Sequence, residues 1–448
     1  MSFSRQSLES SPHSAIPAEA VPPLAGSLDT EVRIRRSSVF LSEAFLDSSA
    51  ARVRAEIPKE YQTKFDELRG GILAFCKEFG IPSEALSNIK TFGSALSAQS
   101  PHISLSRMND ASLLFRSLEH LIAYHELWKN PEELQDALLE AEQLYDLSRQ
   151  YHAQVELLQN AGILIEDGHS AFTGIDGQKY FVPPMESIAQ RLYERRETLR
   201  TKQEQKFTRL LLVPFGMSLD VLISIFRKFL RDYQKEHPDF YLDISDPLHV
   251  WEGLEEADSG EEPRMVYSPN SFDPKNHQGK TKYQMLIEQE QDATFAPGWR
   301  VLLLQAPHDN TPGFRRIPKK GEGVTEEEGI PRFDLEAEQY PSDYLSLFLY
   351  AKNDPTSSYH GESGMTLEDW MSAFMVHLEE TGQPLDSCFN GSSSDMKEGI
   401  PDFVGSFLPL SAQIPFAYWN DHWKQADFNR SAPHIRDNVH GTRSVVVV

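Results

Sequence analysis

The chain has 448 residues, a length that suits two or three domains. Apolar residues make up 40% of it and charged residues 25%, a composition typical of a globular protein. Its net charge of −24 argues against nucleic-acid binding and against an anionic membrane surface, because both partners attract a basic face. The two cysteines, Cys76 and Cys388, are too few for a disulfide scaffold or an all-cysteine metal site, and they fit a reducing compartment.

No apolar run in the sequence reaches the roughly 20 residues that a membrane-spanning helix needs. Residues 1–24 are rich in Ser and Pro and lack the apolar core of a secretory signal peptide. We therefore predict a cytoplasmic protein without a membrane span, with leaderless export as an alternative.

Residues 1–55 predict a disordered tail, because Ser and Pro are abundant and bulky apolar residues are few before Val39. The short basic run Arg33, Arg35 and Arg36 stands directly before two serines. This run could be a docking or phosphorylation site, although a solvated basic patch in a tail is the more common explanation.

Residues 56–205 carry a helical pattern over most of their length. A helix restarts at Asn130-Pro131, where proline suits the first turn, and apolar residues then recur at spacings of four and three. A turn-rich connector over residues 174–184 precedes a highly charged helix over 186–206. We predict a helical bundle or coiled-coil-like region that could assemble the chain into a homo-oligomer.

Residues 206–448 predict a compact α+β domain, because short strand and helix patterns alternate there with long irregular loops. The predicted helices cover residues 218–235, 340–350 and 366–380, and the predicted strands cover 210–213, 301–304, 407–408, 416–418 and 445–448. The expected fold class of the whole chain is therefore α+β, with a helical N-terminal half followed by this domain.

Motifs for known catalytic chemistry are missing from the sequence. The tripeptide 279–281 reads Gly-Lys-Thr like the end of a phosphate-binding loop, but Pro274 occupies the place of the required first glycine. A loop leading into a helix is the better interpretation. No zinc-protease, nucleophile-elbow or dinucleotide motif occurs. His277 and His360 stand alone in loops, so an enzyme that uses loop histidines or carboxylates is kept as a second hypothesis.

The C-terminal stretch 418–448 has an unusual composition. Aromatic and small polar residues are enriched there, a mixture typical of paratopes because such side chains give adaptable contacts at modest entropic cost. The predicted contact residues are Tyr418, Asn420, Asp421, His422, Asp427, Asn429, Ser431, His434, Asp437, Asn438 and His440. The predicted framework residues are Trp419, Trp423, Arg430, Arg436, Gly441 and Arg443.

The end of the sequence resembles the closing signature of formylglycine-generating-enzyme-like domains. The resemblance rests on the pattern Arg430-x5-Arg436-x-Asn438-x2-Gly441-x-Arg443. It implies a C-type-lectin-like fold over residues 206–448. The same fold is used by the variable proteins of diversity-generating retroelements, in which adenine-directed mutagenesis varies codons for Asn, Asp, His, Tyr and Ser. The resemblance therefore implies a retroelement target protein that displays a variable surface.

Two further features of this resemblance concern chemistry. Formylglycine-generating catalysis needs a cysteine pair in the domain, and only Cys388 is present, so we predict neither enzyme activity nor a cofactor. The tripeptide Trp419-Asn420-Asp421 matches the calcium-ligand tripeptide of sugar-binding C-type lectin domains, but those domains also carry paired cysteines. We interpret Asn420 and Asp421 as contact positions instead, and predict no metal site.

The leading hypothesis is a ligand-binding protein whose lectin-like domain presents residues 418–440 to an unknown protein or carbohydrate ligand. No nucleic acid is expected as a partner. An enzyme on the same fold is the first alternative. The second alternative is a structural or regulatory assembly protein whose working part is the helical half.

Overall fold

The chain divides into two compact units, residues 1–138 and 139–448. Predictions for the tail over 1–43, for its basic run at Arg33, and for most of residues 83–130 lie outside the described residues. In this computed structural model the described residues are 44–45, 47–57, 59–82, 85–86, 92, 94–95, 103, 107, 111, 114–115, 118, 131–166, 170–260, 262–292, 294–309, 311–326, 330–388 and 399–448.

Nine α-helices and seventeen strands occur within these ranges. The helices are α1 (Asp47–Glu56), α2 (Gln62–Phe79), α3 (Pro131–Ala161), α4 (Met185–Glu194), α5 (Arg196–Glu204), α6 (Leu219–Glu236), α7 (Lys282–Gln291), α8 (Pro341–Asn353) and α9 (Leu367–Thr381). The strands are β1 (Ile165–Glu166), β2 (Ser170–Thr173), β3 (Lys179–Phe181), β4 (Phe207–Val213), β5 (Leu248–Val250), β6 (Val266–Tyr267), β7 (Arg300–Gln305), β8 (Thr325–Glu326), β9 (Arg332–Phe333), β10 (Glu362–Gly364), β11 (Ser387–Cys388), β12 (Ile400–Pro401), β13 (Ser406–Phe407), β14 (Ile414–Asn420), β15 (Gln425–Ser431), β16 (His440–Gly441) and β17 (Ser444–Val447).

The described elements of the first unit are helical. Helix α2 buries Phe65, Leu68, Ile72 and Phe75, because spacings of three and four place these side chains on one face. The helix ends before Gly80, whose φ of 66° provides the left-handed cap conformation that glycine adopts at little steric cost.

Helix α1 overlaps the segment 1–55, for which the sequence predicted a disordered tail, over residues 47–55. Val53 is buried in the same apolar cluster as Phe65, and Arg54 pairs with Asp66 at 2.8 Å. The partners of this helix come from a later part of the chain, so the composition of the segment alone did not indicate that it is ordered.

The second unit contains a four-stranded antiparallel sheet in the order β10-β17-β7-β4. Leu211 of β4 lies opposite Leu302 of β7, and Leu303 of β7 lies opposite Val446 of β17. Strand β17 is therefore an inner strand of this sheet, with the apolar strand β7 on one side and the polar strand β10 on the other.

A second four-stranded sheet has the order β11-β14-β15-β5. β14 and β15 form an antiparallel hairpin, and the short edge strands β11 and β5 pair in parallel with it. The hairpin packs on helices α6 and α9 through aromatic rings. The ring centroid of Phe226 in α6 lies 5.3 Å from that of Phe374 in α9 and 5.6 Å from that of Phe428 in β15.

Most elements predicted for this unit are confirmed to within a few residues. The helix predicted over 218–235 is α6, and the strand predicted over 301–304 is β7. The described chain is mixed α and β, which confirms the fold class at that level. None of the helices in the described part of the chain is both long and apolar enough to cross a membrane.

Residues 139–205 belong to the second unit, whereas the sequence assigned them to the helical region. The connector predicted over 174–184 contains part of a three-stranded antiparallel sheet, β1-β2-β3. Phe172 of this sheet contacts Trp299 edge-on at 5.0 Å. The strands are only two to four residues long, so their period-two pattern is too short to be recognised in the sequence.

The tripeptide 279–281 leads into helix α7, as the sequence predicted. The hydroxyl of Thr281 accepts the backbone N–H of Gln284 at 3.2 Å and so caps the helix. Lys280 pairs with Glu288, with both side chains about half exposed. The segment therefore serves as a helix start, and its lysine forms a surface ion pair.

Candidate functional site

The hairpin of β14 and β15 has one face turned toward the apolar core. Ala417 lies opposite Phe428, and Trp419 lies opposite Ala426. All four side chains are buried, and we call them the core face. Trp419 is 1% exposed and contacts the ring of Phe374 at 6.0 Å. The core face therefore fixes the hairpin against helix α9.

The opposite side of the hairpin, the outer face, carries the polar residues that the composition had singled out. Because side chains alternate between the two faces of a strand, residues opposite one another in the ladder share a face. Tyr418 lies opposite Asp427, and Phe416 lies opposite Asn429. The outer face holds Phe416, Tyr418, Asn420, Asp427, Asn429 and Ser431, together with Ile414 and Gln425 at its ends.

Asp427 lies near the middle of the outer face and is 9% exposed. Its carboxylate accepts long hydrogen bonds from Tyr418 Oη and Asn429 Nδ2, both at 3.4 Å. His249 of β5 is its neighbour in the adjacent strand. Burial raises the pKa of the Asp427 carboxyl, and nearby His249 opposes that effect. Burial, followed by the charge of Asp427, raises the pKa of Tyr418.

The turn between the two strands is shaped by residues that were predicted as contacts. Asn420 Oδ1 accepts the backbone N–H groups of His422 and Trp423, both at 3.1 Å. The carboxylate of Asp421 accepts hydrogen bonds from the Ser387 hydroxyl and from Lys424. Asn420 and Asp421 thus use their oxygen atoms to hold the turn.

A carboxylate from outside the predicted segment anchors the next loop. Asp402 Oδ1 accepts the hydroxyl proton of Ser431 at 2.6 Å and lies 3.0 Å from His440 Nδ1. The ring of His440 meets that of Phe416 edge-on at 4.6 Å, which places this histidine beside the outer face. Between these two anchors, His434, Asp437 and Asn438 are exposed.

Ser431, Asp402 and His440 do not form a catalytic triad. In a triad the serine hydroxyl is hydrogen-bonded to the histidine that removes its proton. Here the Ser431 hydroxyl donates to the carboxylate, and the His440 ring faces the same carboxylate oxygen. The arrangement closes a loop and leaves the serine without a base.

The predicted framework residues separate into buried and exposed groups. Arg443 is buried, donates to Asp386 at 2.6 Å and also contacts the carbonyl of Arg315. A Cβ atom at Gly441 would lie 2.6 Å from the Ile317 side chain, so this position needs glycine. Together with Trp419, these residues belong to the buried framework around the hairpin and the final strand.

The other three framework residues lie at the surface. Trp423 is 61% exposed at the tip of the hairpin, so it is available for contact instead of supporting the fold from within. The guanidinium of Arg430 stacks over the ring of Trp251 at 4.1 Å. Arg436 is an exposed residue whose guanidinium lies 3.6 Å from Glu338.

Three residues of the site were missed in the sequence: Phe416, His249 and Asp402. Phe416 is two residues before Tyr418 in β14, and side chains alternate between the faces of a strand, so the sequence could have placed Phe416 on the same face as Tyr418. His249 and Asp402 come from distant segments, and no local signal connects them with the hairpin.

The loop histidines considered for an enzyme are used in local backbone contacts. His277 Nδ1 accepts the N–H of Gly279 at 3.0 Å, and His360 Nδ1 lies 2.8 Å from the carbonyl oxygen of Ala351. Within the described ranges no three His, Cys, Asp or Glu side chains are grouped so that they could hold a metal ion.

The Asp402–His440 contact gives a testable pH effect. Burial alone would lower the pKa of His440, but Asp402 raises it above the ordinary value. The contact therefore stabilises the fold below the ordinary histidine pKa, and this contribution is lost as pH rises through the raised value. In Asp402→Asn we expect the pKa of His440 to fall, as followed by NMR of the ring protons and assigned with His440→Gln. An unchanged pKa would show that Asp402 does not hold the loop electrostatically.

The chain was compared with protein-family models, with curated proteins and with solved structures, and nothing matches it in any of the three comparisons.

Proposed function

We propose that this protein is a recognition protein that binds a protein or carbohydrate ligand through the outer face of the β14–β15 hairpin. In this proposal residues 206–448 form a C-type-lectin-like domain, and the protein is the variable target of a diversity-generating retroelement. The helical first unit then serves as an assembly or tethering module.

The observation that carries the proposal is the separation of residue types between the two faces of one hairpin. The core face holds Ala and aromatic residues that pack on α9. The outer face and the loops beside it hold Asn, Asp, His, Tyr and Ser, with Phe416 as a large apolar residue among them. A surface that changes its ligand contacts without unfolding needs such a separation, because half-buried outer residues such as Asn429 can vary while the core face stays packed. Phe416 and Tyr418 also pack against a small buried cluster of Cys388, Ile400 and Val439.

The exposed residues around the hairpin match the chemistry of binding surfaces. Trp423 and Tyr241 are 61% and 76% exposed, and the backbone N–H of Asp243 donates to the Lys424 carbonyl at 2.8 Å, which brings this loop next to the hairpin turn. Large aromatic side chains provide contact area at a low cost in conformational entropy. The turn and the neighbouring loop therefore add exposed aromatic side chains at the end of the hairpin.

Sequencing the gene from many cells of one clonal population tests the variable-protein proposal. We expect substitutions at adenine-containing codons for outer-face and loop residues such as Tyr418, Asn429 and Asn438. Codons for Trp419 and Phe428 should stay constant, because substitution there would disrupt the core. A reverse-transcriptase gene and a near-copy of the end of the coding region should lie nearby.

A uniform gene end with no neighbouring near-copy would contradict the retroelement part of the proposal. Ligand binding is tested separately, with the full chain on glycan and peptide arrays. Specific binding should be lost in the double variant Tyr418→Ala/Asn429→Ala and kept in Glu288→Gln on helix α7. Equal binding by the double variant would place the ligand elsewhere.

A further inference from the structure

We infer that Asp427 is the centre of a subsite for a cationic side chain, preferably an arginine guanidinium, of a protein ligand. This inference rests on the proposed function, since it assigns the ligand chemistry of the same outer face. It selects protein over carbohydrate as the ligand class.

The Asp427 carboxylate is only weakly hydrogen-bonded. Hydrogen bonds to an ionised carboxylate usually measure about 2.7–2.9 Å, whereas both hydrogen bonds to Asp427 measure 3.4 Å. No Lys, Arg or His nitrogen of the described chain lies within 4.0 Å of this carboxylate. A largely buried carboxylate is thus left without a short hydrogen bond or a close ion pair, and His249 of the neighbouring strand acts on it only from a longer distance.

Other carboxylates around the hairpin are better satisfied. Asp402 has a hydroxyl donor at 2.6 Å, and Asp386 has the guanidinium of Arg443 at 2.6 Å. Asp421 accepts from a hydroxyl at 2.5 Å and from Lys424 at 3.3 Å. Among these four carboxylates, Asp427 is therefore the one whose oxygen atoms are most available for a further hydrogen bond or ion pair.

A guanidinium is complementary in charge to this carboxylate. Removing a carboxylate from water costs several kcal/mol, and a cation offsets this cost better than a neutral hydroxyl because it adds a direct Coulomb attraction. A guanidinium can also bind the two oxygens of a carboxylate at once and stack on an aromatic ring. Tyr418 and Phe416, with stacked rings 6.2 Å apart, provide such rings on the same face. The net charge of −24 attracts basic partners over longer distances.

A display library of random linear peptides, with the full chain as bait, tests the inference. Peptides selected by the unmodified chain should be enriched in Arg and Lys, and Asp427→Asn should abolish this enrichment. The control variant Glu288→Gln removes a surface carboxylate on helix α7, and the peptides that it selects should still be enriched in Arg and Lys. Thermal melts confirm that each variant is folded, and Asp427→Ala provides a second variant should Asp427→Asn not fold.

A double-substitution cycle makes the test quantitative. Replacing the key arginine of a selected peptide by citrulline keeps its shape and removes its charge. For the unmodified chain we expect about a tenfold or greater loss of affinity. For Asp427→Asn the two peptides should bind equally. An equal citrulline effect in both chains overturns the inference.

A glycan array distinguishes this inference from the proposed function. Sugar binding that depends on Asp427, without enrichment of basic peptides, overturns the cationic subsite and leaves the outer face as the ligand surface. Binding of peptides and sugars that depends on neither Asp427 nor Tyr418 overturns both.

Discussion

Replacing Trp419 by alanine is expected to destabilise the second unit by about 3–5 kcal/mol, the usual cost of truncating a large aromatic residue in a core. Trp419 is fully buried, and its ring lies 5.2 Å from Phe240 and 6.0 Å from Phe374 between centroids. Removal of the indole would leave a cavity between the hairpin and helix α9. Urea denaturation followed by circular dichroism measures the change in free energy of unfolding.

The matched control is Asn429→Ala on the other side of the same hairpin. Asn429 is half-buried, and its side chain makes the long hydrogen bond to Asp427 and accepts the N–H of Arg430. We expect a change within about 0.5 kcal/mol, because few packing contacts are lost. If both substitutions cost the same, the two faces would not differ in the way that the proposed function requires.

Glu362→Gln is expected to cost a similar amount, about 3–5 kcal/mol, for a different reason. Glu362 is buried with Lys202 at 2.7 Å and Arg332 at 2.8 Å, and it accepts the hydroxyl proton of Ser444 at 2.6 Å. Burial alone would raise the pKa of Glu362, but Arg332 and Lys202 hold it below the ordinary value. Neutralising the carboxyl leaves two buried cations without their shared partner, and an uncompensated buried charge is strongly destabilising.

The comparison for this second prediction is Glu288→Gln, which breaks the exposed pair with Lys280. Exposed ion pairs contribute less than about 1 kcal/mol, because both groups remain hydrated and are screened by salt. Denaturation of the two variants under identical conditions gives the difference directly. A cost for Glu362→Gln as small as that for Glu288→Gln would mean that Lys202 and Arg332 find other partners when Glu362 is neutral.

The cluster around Glu362 also connects the site with the rest of the unit. Glu362 is in β10, which pairs with β17, the strand that follows the framework residue Arg443. Lys202 and Arg332 bring α5 and β9 to the same carboxylate. Strand β17 is thus held by ionic contacts through β10 as well as by the apolar ladder of β7 and β17.

The sequence by itself determined the elements with strong local patterns. The strand before Pro214 is a continuous apolar run, and Thr366 caps α9 because its hydroxyl accepts the N–H of Asp369, an arrangement that the residue types at these positions favour. The enrichment of Asn, Asp, His, Tyr and Ser near the C-terminus can also be recognised in the composition alone, and it predicts a contact surface. These signals are local, so they can be recognised without knowledge of the fold.

Only the tertiary structure decided which of those residues share a surface. The pairing register of β14 and β15 places Tyr418 opposite Asp427 and points Trp419 into the core. The composition had assigned Trp423 to the framework, but this residue is exposed. The buried partner Asp402 and the neighbour His249 come from segments far away in sequence. Their contacts depend on strand pairing and loop closure, which are set by packing of the whole unit and not by any local pattern.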